Sequence, residues 1–325
     1  MDRNPDRREF LTLGVGVFVA LSLPLALRRR AILTRRSLPL MGTLAEVQVA
    51  HPDERLAEEA IDAAFAELSW VERTMTRFRP DSDLGRANLG AARDAVSLQP
   101  ETALVLAAAL RWAEVSGGRF DPALGTASEL WDVLNRKVPP AAEPVRRLAG
   151  RSFWRRVALD RFRGRPVVRF EDRELHLDLG GIAKGYGIDR ATAALKARGV
   201  RDAVVTVGGD LYAMGRPPGR GAWRIGIRSP HDRDALAATL EISDRAVATS
   251  GDYERFFQWR GVRYHHLIDP ETAAPRRTPM HSATVLAERC MDADAAATAV
   301  FGLAREQAVR LARRLAPGAD VIPLN

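Results

Sequence analysis

The stretch Asp178-Leu179-Gly180-Gly181-Ile182-Ala183-Lys184-Gly185-Tyr186-Gly187 decides how this chain is read. Before it, Glu174 to Asp178 alternates polar and apolar residues, the period of a strand. After it, Ile188, Ala191, Ala194 and Leu195 recur at helical spacing, and Gly199 supplies a stop. The expected unit is a strand, a glycine turn and a helix start. Paired glycines let backbone approach a ligand because no Cβ intrudes. The free N–H groups of a helix N-terminus favour an anion. Asp178 and Lys184 set opposite charges on either side of the turn. This is not a phosphate P-loop, because Lys184 precedes Gly185 and no Ser or Thr follows, and it contains no G-x-G-x-x-G. A glycine turn with a surface ion pair would read the same way. Lysine usage points elsewhere: only Lys137, Lys184 and Lys196 are lysines among 49 basic residues, so arginine carries nearly all the positive charge.

The 325 residues are 46% hydrophobic and 28% charged, a globular balance with ample material for a core. The formal net charge is +8. The arginines are scattered and no nucleic-acid-binding motif is present, so the excess is read as solvated surface that attracts anionic substrates. The single cysteine, Cys290, excludes an intramolecular disulfide framework and a multi-cysteine metal site.

At the N-terminus, Arg7-Arg8-Glu9-Phe10-Leu11 precedes an apolar run from Leu11 to Leu27 that contains Gly14, Gly16 and Pro24. The run is marginal for a membrane span. Paired arginines ahead of it resemble a twin-arginine export signal. Residues 1–34 are therefore read as a signal or anchor segment, cleaved or retained, and residues 35–325 as one catalytic domain.

Within that domain, Leu44 to Val49 alternates as a strand, and Leu56 to Met75 forms a long amphipathic helix with Ala60, Ile61, Ala64, Phe65, Leu68 and Val71 on one face. Thr102 to Val115 is a second helix ending at Gly117-Gly118. Short strands are expected at Val157–Leu159, Val167–Phe170, Ala203–Val207, Arg224–Ile227, Ala238–Ile242 and Ser282–Leu286. Phe256–Trp259 and Val262–Ile268 form a hairpin around Arg260-Gly261. Helices follow at Asp294–Leu303 and Ala308–Leu315. Many strands adjoin without intervening helices, so the fold class is α+β, with mixed or antiparallel sheets and packed helices.

Four patches join the glycine turn as candidate chemistry. Asp294 and Thr298 lie four apart at the expected start of a helix, so one face carries both oxygens. A carboxylate with a hydroxyl suits Mg²⁺, which keeps waters and phosphate oxygens; a dipole-favoured Asp and a back-bonded Thr fit the same spacing. His265 and His266 on a strand face opposite ways, so one can enter a cleft as an acid or base. Thr249-Ser250-Gly251-Asp252-Tyr253 is rich in hydroxyls but lacks the G-x-S-x-G elbow of a serine hydrolase. Gly208-Gly209-Asp210 closes a buried strand as a turn or a close approach to ligand.

Taken in order, Met41-Gly42-Thr43, Arg79 to Asp83, Gly118-Arg119-Phe120-Asp121-Pro122, Asp178 to Tyr186, Val207 to Asp210, Ala248 to Tyr253, His266 to Pro270 and Ala293 to Thr298 resemble the ApbE family of FAD:protein FMN transferases. The resemblance spans nearly the whole chain after the N-terminal segment. It implies a T-fold-like α+β domain and a Mg²⁺-dependent transfer of FMN from FAD onto a Thr or Ser hydroxyl of an acceptor protein, with release of AMP. It also implies that Met41, Phe78, Phe120, Asp121, Pro122, Asp178, Lys184 and Ile268 bind FAD. By the same pattern, the Gly181 carbonyl, Asp294 and Thr298 hold Mg²⁺, and His266 and Asp294 serve the transfer. Family acceptors are subunits of membrane electron-transfer complexes, and the signal implies a periplasmic site of action. The chemistry fits: splitting a pyrophosphate needs charge neutralisation on the transferring phosphoryl and its leaving group. One departure is Thr206, where the pattern leads one to expect asparagine; another is His265 beside His266. A FAD pyrophosphatase, with water in place of the acceptor hydroxyl, would use the same residues. A flavin carrier without turnover would need neither a metal nor a base.

Overall fold

The structure, a computed structural model of the chain, describes the backbone of residues 17–19 and, in full, residues 31–219, 221–232 and 234–325. Arg7 and Arg8 lie outside the described residues. In chain order, β1 (Val17–Val19), β2 (Ile32–Leu40) and β3 (Thr43–His51) lead into α1 (Glu54–Met75), α2 (Asp83–Gly90), β4 (Val96–Ser97), α3 (Pro100–Val115), α4 (Gly125–Trp131) and α5 (Ala142–Leu148). The hairpin β5 (Val157–Phe162) and β6 (Arg165–Phe170) precedes the glycine stretch, and α6 (Ala183–Ala197) follows it. Then come β7 (Asp202–Val207), β8 (Asp210–Met214), β9 (Trp223–Arg228), β10 (Leu236–Ile242) and β11 (Arg245–Gly251). Two small hairpins follow, β12 (Phe256–Trp259) with β13 (Val262–His265) and β14 (Ile268–Asp269) with β15 (Ala274–Pro275). The chain closes with β16 (Ser282–Ala287), α7 (Cys290–Val300), α8 (Arg305–Arg313) and β17 (Asp320–Leu324).

The central sheet has seven strands in the order β17-β16-β11-β8-β7-β3-β2, antiparallel throughout. Its period of two is legible in what each residue buries. Val205, Val207, Ala246 and Ala248 join the core shared with the helices, while Val204, Leu211, Ala213 and Val247 pack on the other face against Trp223, Ile225 and Ile242 of β9 and β10. The apolar stripe of α1 lies on the first face. Asp53 caps this helix by accepting from the Leu56 N–H at 3.1 Å. Full burial of Leu68 contributes ~1.5–3 kcal/mol. Truncating it to Ala would cost about 2–5 kcal/mol. Ile32 begins the edge strand β2, within the segment read as a signal, and Val17–Val19 of the apolar run lies antiparallel to β9.

One local reading changes. Glu174 falls in a turn, and the residues after it form only an isolated bridge, His176 with Leu124. Leu175 and Leu177 are buried as the alternation demands. The backbone, however, meets loops and a side chain rather than a strand: Leu177 N–H donates to Asn88 Oδ1 at 2.7 Å and Asp178 N–H to Pro122 O at 2.8 Å. The segment after Pro80 forms α2, whose N-cap Ser82 hydroxyl accepts from Gly85 N–H at 2.9 Å. Gly208-Gly209 forms the expected turn, the two-residue connection between β7 and β8.

Candidate active site at one end of the central sheet

The antiparallel register gathers several loops at one end of the sheet. Ala45 pairs with Val207 and Val207 with Asp210, so the Met41-Gly42 turn before β3 sits beside the Gly208-Gly209 turn. The end of β11 joins them, where Thr249 N–H donates to Asp210 Oδ1 at 3.1 Å. Asp210 thus enters the site as the first, fully buried residue of β8.

Helices α6 and α7 cross above this end at a very close approach. A Cβ on Gly185 would lie 2.2 Å from the Cys290 carbonyl oxygen, so only glycine allows the crossing. The two helices exchange carboxylates. Asp294 Oδ2 accepts from Gly185 N–H at 3.0 Å in the first turn of α6, while Asp189 of α6 accepts from Cys290 N–H at 2.7 Å and Met291 N–H at 3.0 Å. First-turn N–H groups have no partner inside their own helix, and their positive end favours an anion. Asp294 is therefore the fifth residue of α7 rather than its start, and the N-terminus that it serves is that of α6.

Lys184 is the second residue of α6, not part of a turn, and its partner is not Asp178. Its Nζ donates to Asp210 and, at 3.1 Å, to Asp294 Oδ1. Burial opposes the Lys184 charge, but the two carboxylates, Asp210 foremost, outweigh it and raise the lysine pKa. Burial raises the pKa of Asp210 against the pull of Lys184. Asp178 turns the other way. Its Oδ1 accepts from Gly180 N–H at 2.8 Å and its Oδ2 from Arg77 Nε at 3.0 Å. Arg77 continues to Glu129 at 3.1 Å, and Glu129 to His176 Nδ1 at 3.0 Å.

Gly181 and Thr298 face each other closely: a Cβ on Gly181 would stand 3.1 Å from Thr298 Oγ1 and 3.1 Å from the Phe120 ring. The Thr298 hydroxyl also lies 3.3 Å from Ser250 Oγ. The expected set of Gly181, Asp294 and Thr298 therefore converges, with Lys184 and Phe120 beside it. Pro122 is linked to Asp178 through its carbonyl. Asp121 is turned into its own loop. It accepts from Ala123 N–H at 2.8 Å and Trp154 N–H at 3.4 Å, and burial pushes its pKa up to about 6. Met41 has a left-handed backbone, φ 55°, with its N–H given to Glu72 at 2.7 Å. Phe78 is 78% exposed beneath the Arg77 guanidinium, 4.3 Å from the ring centre. Half-buried Ile268 opens β14.

The two histidines separate by their hydrogen bonds. His265 Nε2 lies 2.9 Å from the Arg276 carbonyl oxygen and its Nδ1 accepts from Leu267 N–H at 3.2 Å, so both nitrogens are spent. Burial lowers its pKa to about 4. His266 Nδ1 meets the Arg255 carbonyl oxygen at 3.3 Å, which fixes the proton on Nδ1 and leaves Nε2 as an acceptor. Burial first, then the charges of Arg255 and Lys184, lower the His266 pKa to about 3 and keep the ring neutral. In the sequence, Asp210 stands out only as the end of a turn, without a role for its carboxylate, and Arg255 not at all. The Val-Gly-Gly-Asp run held the signal for Asp210, as a two-residue hairpin turn; Arg255 was one arginine among 46.

Fold and site together define an α+β enzyme whose charged centre lies where two crossed helices meet the end of an antiparallel sheet. The chain belongs to the ApbE family, whose family model matches residues 41–322. It is 36% identical over 299 residues to the FAD:protein FMN transferase of Treponema pallidum, covering 87% of this chain and 82% of that one. It superposes on the crystal structure of the ApbE protein of Thermotoga maritima with a TM-score of 0.79 and 30% identity, over 90% of this chain and 94% of the other. The flavin transferase ApbE of Vibrio cholerae gives a TM-score of 0.77 and 28% identity, over 90% and 93% of the two chains.

Proposed function

We propose that this enzyme moves FMN from FAD onto a Thr or Ser hydroxyl of an acceptor protein and releases AMP. The observation that carries the reading is the convergence of Gly181, Asp294 and Thr298 beside a half-buried lysine and a neutral histidine, in a chain of this family. The acceptor hydroxyl bonds to the phosphorus on the FMN side of the pyrophosphate. The bond from that phosphorus to the bridging oxygen breaks, and AMP leaves with the electron pair. The hydroxyl proton passes to His266 Nε2. Burial is the first cause of the low His266 pKa, so the free ring is a weak base, and the FAD diphosphate would offset only the added pull of Arg255 and Lys184.

The donor set fits Mg²⁺. One carboxylate, one hydroxyl and one carbonyl are hard oxygens, and the described residues contain no cluster of three His, Cys, Asp or Glu suited to another metal. Asp294, Thr298 and the Gly181 carbonyl would hold the ion, which when bound supplies charge neutralisation on the phosphoryl oxygens. FAD is held by the Asp178 to Lys184 segment and the Phe120-Asp121-Pro122 turn, with Met41, Phe78 and Ile268 lining the flavin side.

The test is acceptor flavinylation against Mg²⁺ concentration, read as an FMN-sized mass addition. The native protein and the Asp294→Ala, His266→Ala and His265→Ala variants are compared, with circular dichroism as the folding control. Asp294→Ala and His266→Ala should fall by orders of magnitude, and a folded His265→Ala should stay active. A native Mg²⁺ dependence in folded Asp294→Ala would place the metal elsewhere. Rapid FMN and AMP production without any acceptor would make the enzyme a hydrolase. We further propose that Arg7-Arg8 directs export by the twin-arginine route to the periplasm, where a membrane electron-transfer subunit serves as acceptor. Export that persists when both arginines become lysine refutes that route.

A further inference from the structure

The charges of the cleft do not balance in the way a pyrophosphate site requires. Lys184 is the expected phosphate-facing cation, yet it lies between two carboxylates, Asp210 and Asp294. Arg77 is likewise matched by Asp178 and Glu129. Arg255 differs. Its Nη2 donates to the Gly42 carbonyl at 2.9 Å, and among the described residues no carboxylate stands within ion-pair distance of it. Burial depresses its pKa, with only the more distant charges of Glu254 and Asp178 opposing. Buried charges in proteins are normally paired, because an unpaired one costs several kcal/mol. A half-buried guanidinium without a counter-ion, at the mouth of a site built for an anion, has its counter-ion in the substrate.

We propose that Arg255 is a catalytic residue that grips the FAD diphosphate with its guanidinium. This rests on the reading of FAD as substrate. Three observations place it there. Its side chain anchors on Gly42, beside Met41. The charge of Asp178, after that of Glu254, acts on Arg255, and that of Arg255 is the leading charge lowering the His266 pKa. Its own carbonyl oxygen accepts from His266 N–H at 3.1 Å and meets Nδ1, so one residue holds both the phosphoryl oxygens and the base. The planar fork of donors matches non-bridging phosphate oxygens, and its charge gains value as the leaving AMP takes the electron pair. Atoms balance as in the transfer above: the acceptor O–P bond forms, the bridging P–O bond breaks toward AMP, and the hydroxyl proton goes to His266. Arg255 contributes charge and takes no proton.

The experiment compares binding of FAD and of riboflavin, which lacks phosphates, to the native protein, Arg255→Ala and Arg255→Lys with Mg²⁺ present, followed by flavinylation rates. FAD affinity of Arg255→Ala should fall roughly 10–100-fold, the worth of one or two charge-assisted bonds, with riboflavin affinity unchanged. The transfer rate should fall about 10²–10³-fold. Arg255→Lys should recover part of both, and added guanidinium should raise the rate of Arg255→Ala. Equal losses for FAD and riboflavin would reduce Arg255 to a structural prop and overturn the proposal, as would a native transfer rate in Arg255→Ala. Absence of transfer by the native protein would overturn the reading of function as well, and is seen without any variant.

Discussion

Two ionic clusters flank the glycine stretch, and they are built on opposite terms. On the inner side, Lys184, itself 24% exposed, joins Asp210 and Asp294, whose side chains are 2% and 5% exposed. On the outer side, Arg77 joins Asp178 and Glu129, with side chains 27% and 41% exposed, and His176 completes the chain. Both contain one strong cation and two carboxylates. The inner carboxylates are dry and lock α6, α7 and β8 to one another through Lys184; the outer ones are wet and tie the loop after α1 to α4 and the glycine stretch through Arg77, whose side chain is 14% exposed. Attraction between the inner charges is screened less, and the two carboxylates depend on Lys184 to remain buried. The outer charges exchange partners with water and ions. A reaction that handles a diphosphate and a divalent cation needs fixed charges, and the inner cluster supplies them.

The largest expected effect comes from removing the inner cation. Lys184→Ala would leave Asp210 and Asp294 buried, adjacent and uncompensated. Breaking a buried pair by deleting one partner costs ~3–5 kcal/mol. The α6 N-terminus would suffer too, since Asp294 would no longer be held against Gly185 N–H. This differs from a lysine in an exposed turn, whose loss would leave stability untouched. Thermal unfolding of Lys184→Ala should show a large drop, little altered between low and high salt, with flavinylation lost. Replacing Lys184, Asp210 and Asp294 together by apolar residues should restore much of the stability without activity. A Tm close to native for Lys184→Ala alone would mean that the inner cluster is not the lock described here.

The sequence carried the ingredients of the site but not this partition. The glycine stretch, the i and i+4 pair Asp294 and Thr298 and the opposite facing of the two histidines are periodicities, and periodicity is local. Whether Lys184 meets Asp178, six residues away, or Asp294, 110 residues away, depends on where α6 begins and which helix crosses it. The crossing is set by Gly185 against Cys290, a contact no spacing announces. The strand expected at Glu174–Asp178 shows the same limit. Its alternation correctly buries Leu175 and Leu177, but only the three-dimensional neighbours, a loop and Asn88, decide that no ladder forms. The reciprocal caps by Asp189 and Asp294 lie far outside the local window in which capping motifs are sought. Arg255 was illegible for another reason: its importance lies in the carboxylate it lacks.

The smallest expected effect sharpens the contrast from the outer side. Arg77→Ala removes the ion pairs to Asp178 and Glu129, but those carboxylates are partly hydrated and need no counter-charge to remain in place. Exposed and half-exposed pairs contribute about 0.2–1 kcal/mol, so the Tm should fall by only a few degrees. The Glu129 pKa is lowered chiefly by His176, with Arg77 adding to it. The sign follows: the unfolded chain takes up the proton first on acidification. This contribution is therefore present above the ordinary glutamate value and lost as pH falls through the lower folded one. The outer cluster should thus lose its small share of stability in acid and in salt. The difference between native and Arg77→Ala Tm should shrink when the salt is raised, since the Debye length falls from ~10 Å at 0.1 M to ~3 Å at 1 M. Phe78, beneath the Arg77 guanidinium, loses a cover of ~0.5–1 kcal/mol, so weakened FAD binding in this variant would arise at the flavin end rather than at the phosphates. A loss of stability as large as that of Lys184→Ala, or one insensitive to salt, would show that the two clusters are alike and that their difference in burial does not govern what they do.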